Sequence, residues 1–235
     1  MDYDTTIYTL RFIKKSTKHF NIDHNHIHAH DVLIWTRLII QNMKKRYVFI
    51  LDTQHEIITE LVALFHDVRD HKFKDKCISD EELRNFLFDL CEKIRLSQII
   101  QNKKYVVDMV MKLIDMVSLS GEREKRYNLD KLNKKELYIR NIVSDADKID
   151  ALGWYGVLRC FIYTRFTKHA GKKLSPKTSL KNAIKHMENH LLQLYPKGYI
   201  RTYEGKKIAR VKHFEMLEYV NFIKNYQFSK ISHRN

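Results

Sequence analysis

Three short stretches of the chain carry side chains able to hold a metal ion or move a proton. In the first, His24-Asn25-His26-Ile27-His28-Ala29-His30-Asp31-Val32, four imidazoles fall within seven residues at the start of an apolar helical run. Imidazoles at that density suit a metal ion, although any one of them can equally cap a helix. A helix cannot turn all four to one side, so one or two face inward, and His24 and His28, four apart, can share a face. The second stretch is His66-Asp67, an imidazole and a carboxylate that end an apolar stripe, where a buried charge needs a partner such as a cation. The third, Ser144-Asp145-Ala146-Asp147-Lys148-Ile149-Asp150, sets three carboxylates among Ile142, Val143, Ala146 and Ile149. Its spacing puts Asp147 on the Ile/Val face and turns Asp145 away; a solvated helix face is the alternative reading of the same pattern.

The elements that must position these groups read as helices. Apolar residues recur at helical spacing in Thr5 to Lys18, in about 28–43 and in 54–68. The wide apolar face of the second, Val32, Leu33, Ile34, Trp35, Leu38, Ile39, Ile40 and Met43, predicts a central helix. Ser79 followed by Asp80, Glu81 and Glu82 predicts an N-cap with first-turn acids, leading a helix through Phe86, Leu87, Leu90 and Ile94. Further helices are predicted at about 105–118, 136–151, 154–168, 178–194 and 206–227, with loops at about 121–134, 169–177 and 195–205. Six Gly and two Pro among 235 residues leave too few tight turns for an all-β sandwich or barrel. No repeat or low-complexity linker divides the chain, so one domain over 1–235 is expected.

Composition narrows the setting. Three cysteines, Cys77, Cys91 and Cys160, form neither an even set nor a CxxC pair, which predicts a reducing, intracellular location rather than a disulfide framework. The opening residues lack the basic-then-apolar pattern of a secretory leader. Apolar runs such as Val106 to Leu119 are broken by Asp108, Lys112 and Asp115, so a soluble cytoplasmic protein with no membrane partner is expected. The net charge of +15 is uneven: residues 1–120 carry 18 Lys/Arg against 17 Asp/Glu, and residues 121–235 carry 25 against 11. The basic half suits an anionic partner, whether nucleotide, nucleic acid or membrane surface, or else a lysine-rich solvated surface.

Taken in order on a helical chain, the histidine, the HD pair about forty residues on, and the aspartate about eighty beyond that resemble the HD superfamily of metal-dependent phosphohydrolases. The stretches His66 to Phe73, Val143 to Gly153 and Thr202 to Arg210 resemble those of small bacterial HD hydrolases over nearly the whole chain. The first motif departs from them: Asp31 stands where they tend to have a basic residue, and His24 to Val32 is similar to the opening motif of class I cyclic-nucleotide phosphodiesterases. The chain is short for that catalytic domain and lacks a match to its nucleotide-clamping region.

The resemblance implies an all-α, single-domain HD-type helical bundle, with a metal core over about 20–165 and basic C-terminal helices over about 178–227. It implies that His28, His66, Asp67 and Asp147 hold a divalent cation, with Mn²⁺ expected first and Mg²⁺, Fe²⁺, Co²⁺ or Zn²⁺ as competitors. Asp70 is implied as the base or orienter of the attacking water, His24 as the acid for a leaving oxygen, and Asp150 as a group that orients a ligand or Lys148. Lys72, Lys148, Arg210 and His186 are the implied substrate contacts. The expected reaction is water attack on a phosphate ester or anhydride of a nucleotide, with triphosphate pyrophosphohydrolysis ahead of cyclic-nucleotide phosphodiesterase or nucleotidase activity. The reading from another class is a basic nucleic-acid-binding protein with a structural metal.

Overall fold

Side-chain caps open most of the helices. Asp2 accepts from the Thr5 N–H, Asn25 from Ile27 and His28, Asp52 from His55, and Asn102 from Tyr105, each satisfying donors that the first turn leaves over. The computed structural model describes residues 1–20, 24–46, 51–69, 77–93, 99–100, 102–166 and 174–232. They form ten α-helices and, among the described residues, no strand: α1 (Tyr3–Ser16), α2 (His26–Lys45), α3 (Thr53–Phe65), α4 (Asp80–Lys93), α5 (Lys103–Ile114), α6 (Leu119–Arg123), α7 (Lys134–Asp150), α8 (Gly153–Phe166), α9 (Pro176–His186) and α10 (Tyr203–Ser232). The all-α class expected from the sequence holds. The chain divides into two compact units, Met1–Asp147 and Lys148–Asn235.

In the first unit α3 is the most deeply buried helix, and α2 packs along it. α3 packs against α1, α2 and α5, and Ile58, Leu61, Val62, Ala63 and Phe65 are fully buried. α2 buries Val32, Leu33, Ile39, Ile40 and Met43 but leaves Ile34 at 48% exposure, because its apolar arc is wider than the neighbours that cover it. Arg37 on α2 grips Glu60 on α3 with two bonds, Nε to Oε1 at 3.0 Å and a terminal nitrogen to Oε2 at 2.8 Å, which sets the register of the pair. Phe12 of α1 stacks on Phe86 of α4 at 3.7 Å between ring centroids, and Phe65 meets Phe86 edge-on at 5.9 Å, so one aromatic cluster ties α1, α3 and α4 together.

α7 is held by a buried cation. Arg140 has no exposed surface; it donates to the Met116 carbonyl at 2.7 Å, Glu122 at 2.8 Å and the Tyr127 hydroxyl at 3.2 Å. Ser144 adds a bond to the Val117 carbonyl at 3.0 Å. These contacts pin residues 116–127 onto α7, and α6, capped by Ser118, forms within a segment whose sequence from 121 onward reads as loop.

The second unit packs α9 and α10 against α8. Gly153 opens α8 at φ +75°, a left-handed value that glycine adopts freely. α9 starts at Pro176 behind the Ser175 cap and ends at His186, where the chain widens into a π-helical turn, Met187–Leu191, instead of continuing to 194. Among the described residues no helix is long and apolar enough to cross a membrane.

Candidate metal centre

Three helix segments of the first unit bring four donor atoms together. His28 sits in the first turn of α2, where Asn25 anchors its backbone N–H at 3.3 Å. His66 caps the C-terminus of α3 and Asp67 follows it; Asp147 comes from α7. The Asp67 Oδ2 atom is 3.5 Å from both His28 Nε2 and His66 Nε2, and Asp147 Oδ1 is 3.3 Å from His28 Nε2 and 3.8 Å from His66 Nε2. His28, His66 and Asp67 by themselves offer ligand atoms that all lie within 4.8 Å of one another.

His66 is the informative member. Its Nδ1 donates to the Ala63 carbonyl at 2.8 Å, which orients the ring and turns Nε2 toward the cluster. That Nε2 is buried and has no hydrogen-bond partner, the distances to Asp67 and Asp147 not being accompanied by hydrogen-bond geometry. A buried ring nitrogen without a hydrogen-bond partner, set beside two carboxylates, suits a cation's ligand. With metal–ligand bonds of about 2.0–2.2 Å, neighbouring donors of a tetrahedral or octahedral shell lie about 2.8–3.6 Å apart, and the four imidazole–carboxylate distances match that within a few tenths of an ångström. Two imidazoles and two carboxylates suit Mn²⁺, Fe²⁺, Co²⁺ or Zn²⁺, and ligand type alone does not select one.

The electrostatics agree. Burial pushes the Asp67 pKa up, but His66, His24 and His28 around it more than offset that and hold the carboxyl well below its usual range. Burial acts the same way on Asp147, where the hydrogen bond from His28 and the nearby His66 win against the repulsion of Asp67 and bring the pKa down to about 2. Their side chains keep 18% and 26% exposure while His28 and His66 keep 5% and 2%. The cluster is therefore walled by imidazole and open on its carboxylate side.

Of the histidine-rich tract, His28 points inward and His24 reaches the cluster, its Nδ1 bonded to Asp67 Oδ2 at 2.7 Å. His30 is 46% exposed, 3.8 Å from Asp31. Asp145 does not turn away from the core: it is fully buried, and Asp147 is the more open of the two. Asp70 and Lys72 lie outside the described residues. Lys148, Asp150, His186 and Arg210 belong to the second unit. There, Lys148 is buried, Asp150 is buried and ion-paired with Arg159, His186 is half-buried with its ring 4.8 Å from that of His190, and Arg210 is exposed on α10. The Arg159 pairing went unread because nothing in a sequence links residues across a helix corner; that both charges flank Gly153 is the only hint.

The chain has the all-α fold of HD-domain proteins, as solved structures show over almost its full length. Bacillus subtilis YpgQ in complex with ADP matches with a TM-score of 0.61 at 20% identity over 94% of each chain. An HD-superfamily hydrolase from Bacillus thuringiensis matches with a TM-score of 0.56 at 20% identity over 95% of this chain and 97% of its own. A Lactobacillus plantarum protein gives 0.57 at 18% identity, over 97% and 99%. No family model and no curated protein matches the sequence.

Proposed function

We propose that this chain is a metal-dependent phosphohydrolase that directs water onto a phosphate ester or anhydride of a nucleotide, with nucleoside triphosphate pyrophosphohydrolysis as the first reaction to test. The observation that carries the reading is the buried, unpartnered His66 Nε2, set within 3.8 Å of two carboxylates that approach His28 equally closely. In this reading His28 and His66 supply nitrogen, Asp67 and Asp147 supply oxygen, and Mn²⁺ is the preferred ion. A divalent cation held there lowers the pKa of water and neutralises phosphoryl charge.

The protein's own groups do the rest. Asp67 is held as an anion and accepts a hydrogen bond from His24 Nδ1, which orients that ring; in the imidazolium form, with both nitrogens protonated, Nε2 is the atom that would hand its proton to a leaving oxygen. Asp70 is assigned to orient the attacking water, Asp150 to a positioning role, and Lys72, Lys148, Arg210 and His186 to the substrate; these assignments rest on the family resemblance. A nucleotide is favoured because the similar YpgQ structure is a complex with ADP. The buried thiols Cys91 and Cys160 suit a reducing intracellular setting.

The test incubates the purified chain with Mn²⁺ and a panel of nucleoside triphosphates, monophosphates and cyclic nucleotides, and identifies products by chromatography. Metal-dependent turnover that Asp147→Asn and His66→Gln abolish supports the reading. Pyrophosphate, orthophosphate or an opened cyclic phosphate then assigns the chemistry. Absence of turnover across the panel, or full activity in both variants, overturns it.

A further inference from the structure

The second unit carries an apolar groove that the metal cluster does not use. It is a cavity of about 450 Å³ walled by Trp154, Leu158 and Phe161 of α8, Leu180 of α9, and Tyr219 and Ile223 of α10. Trp154, Leu158 and Tyr219 remain 51%, 46% and 46% exposed. Single exposed apolar side chains are ordinary, but three around one concavity mark a binding surface. One charged residue, Lys177, also lines it. Lys181 and Lys185 follow on α9 at four-residue spacing; all three are exposed, and none makes an ion pair among the described residues. On α10, by contrast, Lys212 and Lys224 are taken up by Glu215 and Glu188. Among the described residues, the groove thus has an unpaired basic edge along α9.

We propose that this groove docks an acidic amphipathic helix from a partner protein. Such a helix would set apolar residues at i, i+3, i+4 and i+7 into the cavity and align Asp or Glu with the lysine edge. The lysines repeat at the helix-turn spacing of roughly 5–6 Å, which a partner helix lying alongside shares. The unit as a whole carries 18 Lys/Arg against five Asp/Glu, so it attracts acidic partners and repels a second copy of itself. A phosphate backbone would leave the apolar floor bare, and a flat bilayer surface would not fill a concavity.

The experiment uses the full chain and two labelled helical peptides of roughly 18 residues, about five turns, with the same Leu/Phe face and either a Glu or a Lys edge. Fluorescence anisotropy at low and high salt reads binding. The Glu-edge peptide should bind saturably and more weakly at high salt. Leu158→Asp should weaken it by roughly tenfold or more, and the pair Lys177→Glu with Lys181→Glu should weaken it and tighten the Lys-edge peptide. All three sites are exposed, so circular dichroism and melting should not change; if Leu158→Asp fails to fold, the lysine pair still decides. Equal binding of both peptides, or Glu-edge binding indifferent to the lysine pair, overturns the proposal. So does groove-dependent binding confined to phosphatidylglycerol vesicles or duplex RNA, or a dimer that Leu158→Asp dissociates.

Discussion

Loading the cluster with metal should stabilise the protein, and removing one donor should remove that effect. The four donor atoms already stand 3.3–3.8 Å apart across the imidazole–carboxylate pairs, and His66 is oriented by its bond to Ala63, so little rearrangement accompanies binding. With free Mn²⁺ at about 100 times its dissociation constant, the folded state gains about 2.7 kcal/mol. For a chain of 235 residues, each kcal/mol raises the melting temperature by roughly 2–4 °C, which predicts a rise of roughly 5–11 °C. Asp147→Asn keeps the shape but loses the anionic donor. A hundredfold weaker site at the same metal concentration leaves about 0.4 kcal/mol, a rise of roughly 1–2 °C. The assay is differential scanning fluorimetry with Mn²⁺ against chelator, for wild type and variant. A wild-type melting temperature indifferent to Mn²⁺, Mg²⁺, Fe²⁺, Co²⁺ and Zn²⁺, or an Asp147→Asn protein with the full rise, would refute the reasoning.

Three further outcomes follow from other parts of the chain. Arg140→Met strands the Glu122 carboxylate, only 10% exposed, and should destabilise the fold by about 3–5 kcal/mol in urea titration; adding Glu122→Gln should restore much of it. At Asp52, burial raises the pKa, but bonds from the His55 ring at 2.7 Å and its backbone N–H at 3.0 Å, with Lys135 at 3.2 Å, outweigh it and leave the carboxyl below its usual range. A carboxyl depressed in the folded state contributes stability above its unfolded pKa of about 3.9 that is lost as the pH falls below it. Asp52→Asn should therefore flatten the acid limb of the stability profile, and an unchanged limb would count against the assignment. Gly156→Ala would place a Cβ 2.1 Å from the Ala151 carbonyl oxygen and 3.0 Å from Met216 Cε, so overpacking should lower stability by about 1–3 kcal/mol in the same titration.

How far the fold was legible depends on whether its determinants are local. The Ser79 cap predicted from the acids behind it is present, with Ser79 Oγ accepting from Glu82 N–H at 3.0 Å ahead of α4. Capping is decided within a single turn, so sequence carries it. The five-residue α6 escapes sequence reading because it is held by Arg140 of the following helix, and a buried arginine reads in sequence like any solvated one. α9 was read too long because a π-helical turn such as Met187–Leu191 has the same apolar spacing as the helix it interrupts. At the site, the order of His28, His66-Asp67 and Asp147 was readable through family likeness. The bond from His24 to Asp67 and the exchange of exposure between Asp145 and Asp147 were not, because helix rotation against its neighbours is a tertiary property.

The origin of the donors in three separate helices bears on how the protein comes apart. His28 lies in α2, His66 and Asp67 at the end of α3, and Asp147 far along the chain in α7. The cluster is complete only after α7, secured through Arg140 and Ser144, has docked, and contacts so distant in sequence are among the slowest to close. An ion that binds only the completed cluster should leave the refolding rate nearly unchanged and slow unfolding instead. Residence of the metal would then set the lifetime of the native state more than the speed of reaching it.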